Sequence, residues 1–166
     1  MTAHPELRQL LPGDEELFRR VRLEALAAFP PAFAVSLAEQ TAQSDEEIRC
    51  TLESVIVLGA FMSGGMVGLG GLKCSPLEKH SHKASILYMF VSPRLQSRGL
   101  GRRLLDALLE RVPPVIEQVA LTVVVPNPGA VALYESMGFR HWGTEPRAVK
   151  INGQYFDEQY HMKMLR

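Results

Sequence analysis

Two glycines set among arginines form the stretch of this sequence best suited to chemistry: Gly99 and Gly101, with Arg98 and Arg102 beside them. Leucines recur at helical spacing directly after them, at Leu100, Leu104, Leu105, Leu108 and Leu109. The first amide N–H groups of a helix have no internal partner, and the helix dipole adds partial positive charge there. Glycine lacks a Cβ, so a phosphate can come close to this backbone. The stretch predicts an anion site suited to a pyrophosphate, with simple capping and packing of the helix as the alternative.

A buried strand is predicted immediately before this glycine turn. Residues 86–91 are all apolar or aromatic, which is typical of a strand covered on both faces. Pro93 cannot donate a ladder hydrogen bond and ends the strand. A dinucleotide-binding turn would need a third glycine, but Leu104 is the third residue after Gly101, and the Gly-Lys-Ser/Thr of a Walker A loop is absent. The predicted order is strand, glycine turn and helix.

A second candidate stretch covers residues 126–139. Asn127 is a natural N-cap with Pro128 at the first helical position, and Gly138 suits the left-handed residue after the helix. Phe139 is then expected to fold back onto this helix. Asn127 and Tyr134 are seven residues apart, so they project from one face of the helix. Tyr134 is therefore either a core residue or part of a site.

Together the two stretches resemble the signatures of the GNAT superfamily of acyl-CoA N-acyltransferases. The first, Gln96-x-x-Gly99-x-Gly101, is similar to the family pattern Q/R-x-x-G-x-G/A. The second, N-x-x-A-x-x-L-Y-E-x-x-G-F from Asn127 to Phe139, matches the other signature, and the resemblance covers roughly residues 84–139. It implies that the chain uses acetyl-CoA as acyl donor, with the pyrophosphate on the loop amides and the pantetheine amides along the strand end.

The resemblance also implies which residues contact acetyl-CoA. They come from the strand end, the glycine turn and the second helix: Phe90, Val91, Gln96, Ser97, Arg98, Gly99, Leu100, Gly101, Arg102, Asn127 and Tyr134. A backbone amide around Phe90 or Val91 would polarise the thioester carbonyl, and Tyr134 would be the catalytic residue that assists the departing thiolate. The implied reaction is direct acetyl transfer to an amine, on a small molecule or a protein N-terminus, without a metal. The alternatives are a catalytically idle acyl-CoA-binding regulatory module and a domain that binds another phosphate ligand.

The general base has no candidate on the predicted strand. Many GNAT enzymes place a glutamate there, whereas residues 85–90 include no carboxylate. A primary amine has a pKa near 10.4, so only about one in a thousand is neutral at pH 7. The base is then a water chain or a more distant group, and the candidates are Glu24, His82, Tyr88 and Glu158.

The remaining pattern, with this resemblance, predicts an α/β fold. We expect a single GNAT-like three-layer α/β/α domain over residues 1–166, with a mixed, mostly antiparallel sheet of about seven strands. Asn152-Gly153 predicts a final β-hairpin, and a Ser44–Glu47 capping box predicts a helix through about Leu52. Residues 29–33 either wall the acceptor pocket or plug the core.

The first helix is expected to be capped by Asp14. Its buried stripe is predicted at Leu17, Val21, Ala25 and Ala28, with Glu15, Arg19, Arg20 and Glu24 exposed.

Composition restricts the partners and the compartment. Equal numbers of basic and acidic residues, 18 of each, argue against nonspecific nucleic-acid binding. The longest uncharged apolar stretch, residues 55–62, is too short to span a bilayer, and no signal peptide is visible. Cys50 and Cys74 fit free thiols in a reducing compartment, and His80 and His82 lie in a polar loop without a third metal ligand. We therefore expect a cytoplasmic protein without a membrane or nucleic-acid partner; the resemblance leaves a homodimer open.

Overall fold

A computed structural model describes residues 5–165, and its strands join in one seven-stranded sheet. The strands are β1 (Glu6–Leu10), β2 (Ile56–Met62), β3 (Gly65–Cys74), β4 (Lys83–Val91), β5 (Gln118–Val125), β6 (Arg140–Ile151) and β7 (Gln154–Met164). The α-helices are α1 (Glu15–Ala28), α2 (Leu37–Ala42), α3 (Asp45–Ser54), α4 (Leu100–Leu109) and α5 (Pro128–Ser136). The predicted mixed sheet with helices on both faces is confirmed. Among these helices none has the length and apolar character needed to cross a membrane.

The sheet has the order β1-β2-β3-β4-β5-β7-β6, and its neighbours are antiparallel except β4 and β5. That parallel ladder is short, because only Lys83, Ala84 and Ser85 pair with β5. Beyond Ser85 the two strands part. A gap therefore opens between their carboxyl ends, in the middle of the sheet.

A β-bulge in β4 changes which face of the sheet its side chains meet. Between Leu87 and Phe90, β4 has one more residue than the stretch of β3 that it pairs with, and Tyr88 adopts a φ of +61°. Side chains alternate along a strand, so one extra residue reverses the alternation. Ile86 accordingly packs in the core beneath α4, whereas Phe90 packs in the core beneath α1.

The two faces of the sheet each carry a core. The face covered by α1 and α3 buries Leu10, Phe18, Val21, Ala25, Ile48, Leu52, Val57, Leu69 and Phe90. The face covered by α4 and α5 buries, among others, Leu58, Leu72, Ile86, Leu104, Leu105, Leu108, Val119, Tyr134 and Phe139. The helical spacing of the α4 leucines thus predicted the buried face of that helix correctly.

The predicted cap of α1 is wrong. Asp14 stands at the N-cap position, but its side chain makes no hydrogen bond to the helix amides. Its carboxylate instead accepts hydrogen bonds from Arg8 Nη1 at 2.8 Å and from the N–H of Leu11 at 2.9 Å. These bonds lower the pKa of Asp14, chiefly through Arg8. Asp14 fastens β1 to the turn that follows it.

The buried face of α1 is only partly the predicted one. Its buried residues are Glu15, Phe18, Val21, Arg22, Ala25 and Leu26. Of the predicted stripe, Leu17 is only half-buried and Ala28 is exposed, and Glu15 was wrongly predicted to be exposed. Glu15 tolerates burial because its carboxylate accepts hydrogen bonds from the N–H of Gly13 at 3.0 Å and from Arg49 Nε at 3.0 Å. Phe18 has the largest apolar side chain on the helix, so its burial decides the rotation.

Two capping boxes start the short helices. Ser44 Oγ accepts from the N–H of Glu47 at 3.2 Å, which confirms the predicted start of α3. The same arrangement of Ser36 and Glu39 starts α2, a helix that the sequence analysis did not identify. Six residues are too few to show a helical pattern.

Gly138 fixes the end of α5, as predicted. It has a φ of +87°, and the Phe139 N–H donates back to Tyr134 O at 3.0 Å. The rings of Tyr134 and Phe139 then lie 6.1 Å apart in an edge-to-face arrangement. The predicted hairpin at Asn152-Gly153 is also present, between β6 and β7.

We expect Gly138→Ala to destabilise the protein by about 1 kcal/mol, because a left-handed conformation is costly for a residue with a Cβ. Thermal unfolding followed by circular dichroism should show a Tm lower by about 3 °C. Gly129→Ala is the matched control. Gly129 lies within α5, its φ is not positive and an added Cβ would meet no atom within 4 Å, so its Tm should stay the same or rise. Equal Tm values for the two variants would contradict this role of Gly138.

Candidate active site

The gap between β4 and β5 is the mouth of a cleft of about 760 Å³. Its walls come from the connection after α1, the end of β4, the glycine turn, the end of β5 and the first two turns of α5. Nine of the predicted site residues line it: Phe90, Val91, Gln96, Ser97, Gly99, Gly101, Arg102, Asn127 and Tyr134. The parting of two adjacent strands thus brings both sequence motifs to one place.

Two predicted site residues do not line the cleft. Arg98 is exposed and is not part of the cleft lining. Leu100 is 3% exposed and packs in the core beneath α4, so its side chain cannot meet a ligand in the cleft. Its apolar side chain is the first of the α4 stripe, which leaves only its backbone N–H for binding.

The glycine turn has the geometry of an anion site. Gly99 is the N-cap residue of α4 with a φ of +78°, a conformation that other residues adopt only with strain. The first helical hydrogen bond runs from the Arg103 N–H to Gly99 O at 3.1 Å. The N–H groups of Leu100, Gly101 and Arg102 precede it and have no partner within the helix. These amides and the helix dipole favour a phosphate at this point.

Polar side chains fasten the turn to its surroundings. Gln96 Nε2 donates to Val91 O at 3.1 Å, which ties the turn to the end of β4. Arg102 Nη2 donates to Ser136 Oγ at 2.6 Å, which links α4 to α5. Arg103, by contrast, reaches Pro5 O at 3.0 Å and does not line the cleft.

Asn127 and Tyr134 present different groups to the cleft. Asn127 Oδ1 caps α5 by accepting from the Ala130 N–H at 3.2 Å, which leaves its Nδ2 group as a donor. Tyr134 is 7% exposed, and burial raises the pKa of its hydroxyl to about 12. That hydroxyl has no hydrogen-bond partner among residues 5–165. The side chain therefore offers a fully protonated donor at neutral pH.

The connection after α1 forms the opposite wall of the cleft. Phe29 and Phe33 line it, and the Phe29 ring lies 6.3 Å from the Phe90 ring. Phe33 also packs against the core beneath α1. Residues 29–33 were predicted either to wall a pocket or to plug the core. In the structure this segment both lines the cleft and covers the core beneath α1.

None of the base candidates lines the cleft, and among residues 5–165 no Asp, Glu or His does. Glu24 is exposed on α1, and His82 lies 3.3 Å from Gln118 Nε2. Tyr88 faces another cavity. Glu158 is half-buried and pairs in register with Val124, which lines the cleft. Within the same described part of the chain, no cluster of His, Cys, Asp or Glu could hold a metal ion.

The sequence analysis missed Arg22, which is 2% exposed and lines a second cavity of about 410 Å³ on the α1 face. The available signal was its helical position, one turn after Phe18 and one turn before Leu26. The buried position of Arg22 was not predicted, because arginine is seldom a core residue.

Comparisons with known proteins show the family of this chain. The family model described as the Acetyltransferase (GNAT) family matches residues 19–139. N-alpha-acetyltransferase RimI of Mycobacterium tuberculosis is 35% identical over 100 residues, which are 58% of this chain and 59% of that protein. The chain spans less than two thirds of the length of the curated relatives that it matches.

Solved structures share the fold. An acetyltransferase of the GNAT family from Streptococcus pneumoniae has a TM-score of 0.85 at 22% identity, over 97% of this chain and 99% of that one. YncA of Salmonella typhimurium, a putative acetyltransferase solved with its cofactor acetyl-CoA, has a TM-score of 0.83 at 16% identity, over 99% of this chain and 95% of that one. With the family model matching most of the chain and a cleft formed by both family motifs, this chain belongs to the GNAT family of acetyltransferases.

Proposed function

We propose that the protein transfers an acetyl group from acetyl-CoA to an amine by direct attack. One observation carries this proposal: a single cleft combines the unpaired amides at the start of α4 with the hydroxyl of Tyr134, whose side chain is largely buried. The amides suit a pyrophosphate, and the hydroxyl suits a sulfur that gains negative charge. An idle binding module would need the amides and not the hydroxyl.

The proposed cofactor contacts follow the chemistry of each group. The N–H groups of Leu100, Gly101 and Arg102 bind the pyrophosphate, and the Arg102 guanidinium adds charge from the cleft wall. The unpaired edge of β4 near Phe90 and Val91 accepts the pantetheine amides, because β5 has parted from it there. Gln96 holds the turn in place through Val91.

Acetyl-CoA supplies an acetyl group activated as a thioester. In the proposed reaction the neutral amine nitrogen forms a bond to the carbonyl carbon and the C–S bond breaks with its electron pair on sulfur, so that CoA leaves as a thiolate. The nitrogen loses its surplus proton to water, and the thiolate takes up a proton from water to become the free thiol. Tyr134 donates a hydrogen bond to the sulfur as charge develops there. The backbone near Val91 polarises the carbonyl oxygen. We further infer a cytoplasmic location, because Cys50 and Cys74 are both free thiols.

Incubation of the protein with acetyl-CoA and a panel of amines tests this proposal. The panel includes polyamines, amino acids, aminoglycosides and peptides with a free N-terminus. Release of free thiol, with a matching gain of one acetyl group in the product mass, is the expected result. Acetyl-CoA binding by calorimetry without turnover on any amine would identify an idle binding module instead.

We expect kcat/KM to rise with pH up to at least pH 8. No carboxylate or imidazole of residues 5–165 lines the cleft, so the fraction of neutral amine limits the rate. For an amine with a pKa near 10.4 the rise is about tenfold per pH unit. Tyr134 stays protonated throughout, because burial holds its pKa at about 12. Initial rates at subsaturating amine measure the profile, and a profile flat from pH 6 would reveal a base that the cleft does not show.

A further inference from the structure

Arg22 lies in the core on the α1 side of the sheet and is not part of the cleft lining. Its side chain is 2% exposed, one turn after Phe18 and one turn before Leu26. An influence of Arg22 on a reaction in the cleft therefore has to pass through the residues that it contacts.

The guanidinium of Arg22 lies over the faces of two aromatic rings. Its carbon Cζ is 4.8 Å from the centre of the Phe33 ring and 4.8 Å from the centre of the Tyr88 ring. Its Nε donates to Gln40 Oε1 at 3.2 Å. Its Nη1 is buried and has no hydrogen-bond partner among residues 5–165, and no carboxylate in that part of the chain forms an ion pair with it. The charge of Arg22 thus faces aromatic rings and not a carboxylate.

An arginine in this place is costly for the stability of the fold. Loss of hydration disfavours the buried guanidinium and lowers the pKa of Arg22, although the group keeps its proton. A methionine would fill similar space without this cost, and replacement of a buried charge by an apolar side chain is often neutral or stabilising. Stability alone therefore does not explain an arginine at this position.

The two rings on Arg22 belong to two different walls of the cleft. Phe33 is part of the connection after α1, and its side chain lines the cleft. Tyr88 is the bulge residue of β4, and the two residues that follow it line the cleft. A cation is attracted to the face of an aromatic ring, and the attraction is stronger where water is excluded. Arg22 therefore joins both walls to helix α1.

Of these two walls, the one that contains Phe33 depends more on Arg22. The Tyr88 ring has a second support in its edge-to-face contact with Phe18, at 5.6 Å between the ring centres. Its strand also pairs with β3 on both sides of the bulge. Phe33 follows the short 3-10 helix of residues 30–32 and lies outside the helices and strands of the sheet. Loss of the guanidinium would thus let the Phe33 ring move while β4 stays in place.

We propose that Arg22 is a positioning residue for the acceptor, because it holds the Phe33 ring in the wall of the cleft that meets the amine. This inference rests on the proposed acetyl transfer. In that function acetyl-CoA occupies the glycine turn and the edge of β4, so the wall after α1 is left for the amine. A ring that contacts the amine both before and during the reaction affects the KM of the amine more than kcat.

Steady-state kinetics at saturating acetyl-CoA test this role, with the amine of the panel that is acetylated fastest. Arg22→Met keeps the bulk without the charge, Arg22→Lys keeps the charge, and Phe33→Leu removes the ring at the other end of the contact. Ile48→Val is the matched control for stability, because it changes the same core from helix α3 and should lower the Tm slightly. The double variant of Arg22→Met and Phe33→Leu completes a double-mutant cycle.

We expect Arg22→Met to raise the KM of the amine about 10-fold, while kcat and the Kd of acetyl-CoA change by less than about threefold. Arg22→Lys should restore most of the affinity, because an ammonium group also binds ring faces. Phe33→Leu should raise the KM similarly, and the double variant should raise it no further, because both changes break the same contact.

Three results would overturn the proposal: an unchanged KM in Arg22→Met, effects of Arg22→Met and Phe33→Leu that multiply in the double variant, or an equal rise of the KM in Ile48→Val. The last result would assign the effect to a general loss of stability. Should Arg22→Met fail to fold, Arg22→Gln, which keeps a hydrogen-bond donor without the charge, takes its place in the cycle.

Amide hydrogen exchange separates this inference from the proposed function, because it needs no turnover. The peptide that covers residues 29–36 should exchange faster in Arg22→Met than in the wild type and in Ile48→Val. Turnover with an unchanged KM would overturn the inference and leave acetyl transfer standing. Absence of turnover on every amine would overturn acetyl transfer, and equal exchange of this peptide in the wild type and Arg22→Met would then overturn the inference as well.

Discussion

Tyr134→Phe is expected to lower kcat about 100-fold and to leave acetyl-CoA affinity and Tm unchanged. The pKa of Tyr134 is about 12 because the side chain is buried, whereas a thiol like that of CoA has a pKa near 8.5. Full proton transfer to the thiolate is then uphill by about 5 kcal/mol. A hydrogen bond to the developing charge avoids this cost, and loss of one such donor lowers kcat by about 10²–10³.

The substitution keeps the Tyr134 ring and its edge-to-face contact with Phe139. Tyr155→Phe, which removes a hydroxyl from a partly exposed ring on β7, is the matched control and should keep wild-type kcat. Rates at saturating substrates, with calorimetry of acetyl-CoA binding, measure the effect. A near-wild-type kcat for Tyr134→Phe, under conditions where chemistry limits the rate, would leave Tyr134 a packing residue and assign protonation of the sulfur to water.

Gly101→Glu should raise the Kd of acetyl-CoA by about 100-fold or more. A carboxylate at this position would stand among the unpaired amides, where it would both occupy the anion site and repel the pyrophosphate. At about 5 Å and an effective dielectric constant near 20, repulsion between two unit charges is about 3 kcal/mol. The protein should remain folded, because a helix N-terminus favours a carboxylate.

Two further variants separate charge from bulk and from general effects. Gly101→Ala should change the Kd only a few-fold, because its Cβ would meet the flexible end of Leu133 at 3.3 Å. Gly143→Glu places the same charge on β6, where an added Cβ would meet no atom within 4 Å, and should bind acetyl-CoA like the wild type. If Gly101→Glu also binds like the wild type in calorimetry, the turn does not hold the pyrophosphate.

The local structures that the sequence predicted correctly depend on signals between nearby residues. Gly99 and Gly138 mark helix ends because a positive φ is costly for any other residue, and both have it. The capping box of Ser44 and Glu47 likewise involves residues three positions apart. Such signals lie within a few residues and can be read without the fold.

What the sequence did not predict depends on distant partners. Asp14 matched an N-cap, but Arg8 on the neighbouring strand competes for its carboxylate. Arginine is usually a surface residue, and the burial of Arg22 is explained only by its contacts with Gln40, Phe33 and Tyr88. The opening of the cleft likewise follows from where β4 and β5 stop pairing, which no short pattern encodes.

The bulge at Tyr88 divides β4 into two stretches whose side chains alternate in opposite phase. Upstream of it the strand shows one set of side chains to the α4 layer; downstream, the alternation is inverted, so Phe90 faces Phe29 while Met89 turns to the other layer. Removal of one residue there would reverse the alternation for the rest of the strand. Each later side chain of β4 would then face the opposite layer of the fold. The single extra residue thus decides which side chains of β4 line the cleft, among them Phe90 and Val91, and we expect its deletion to abolish acetyl-CoA binding in calorimetry.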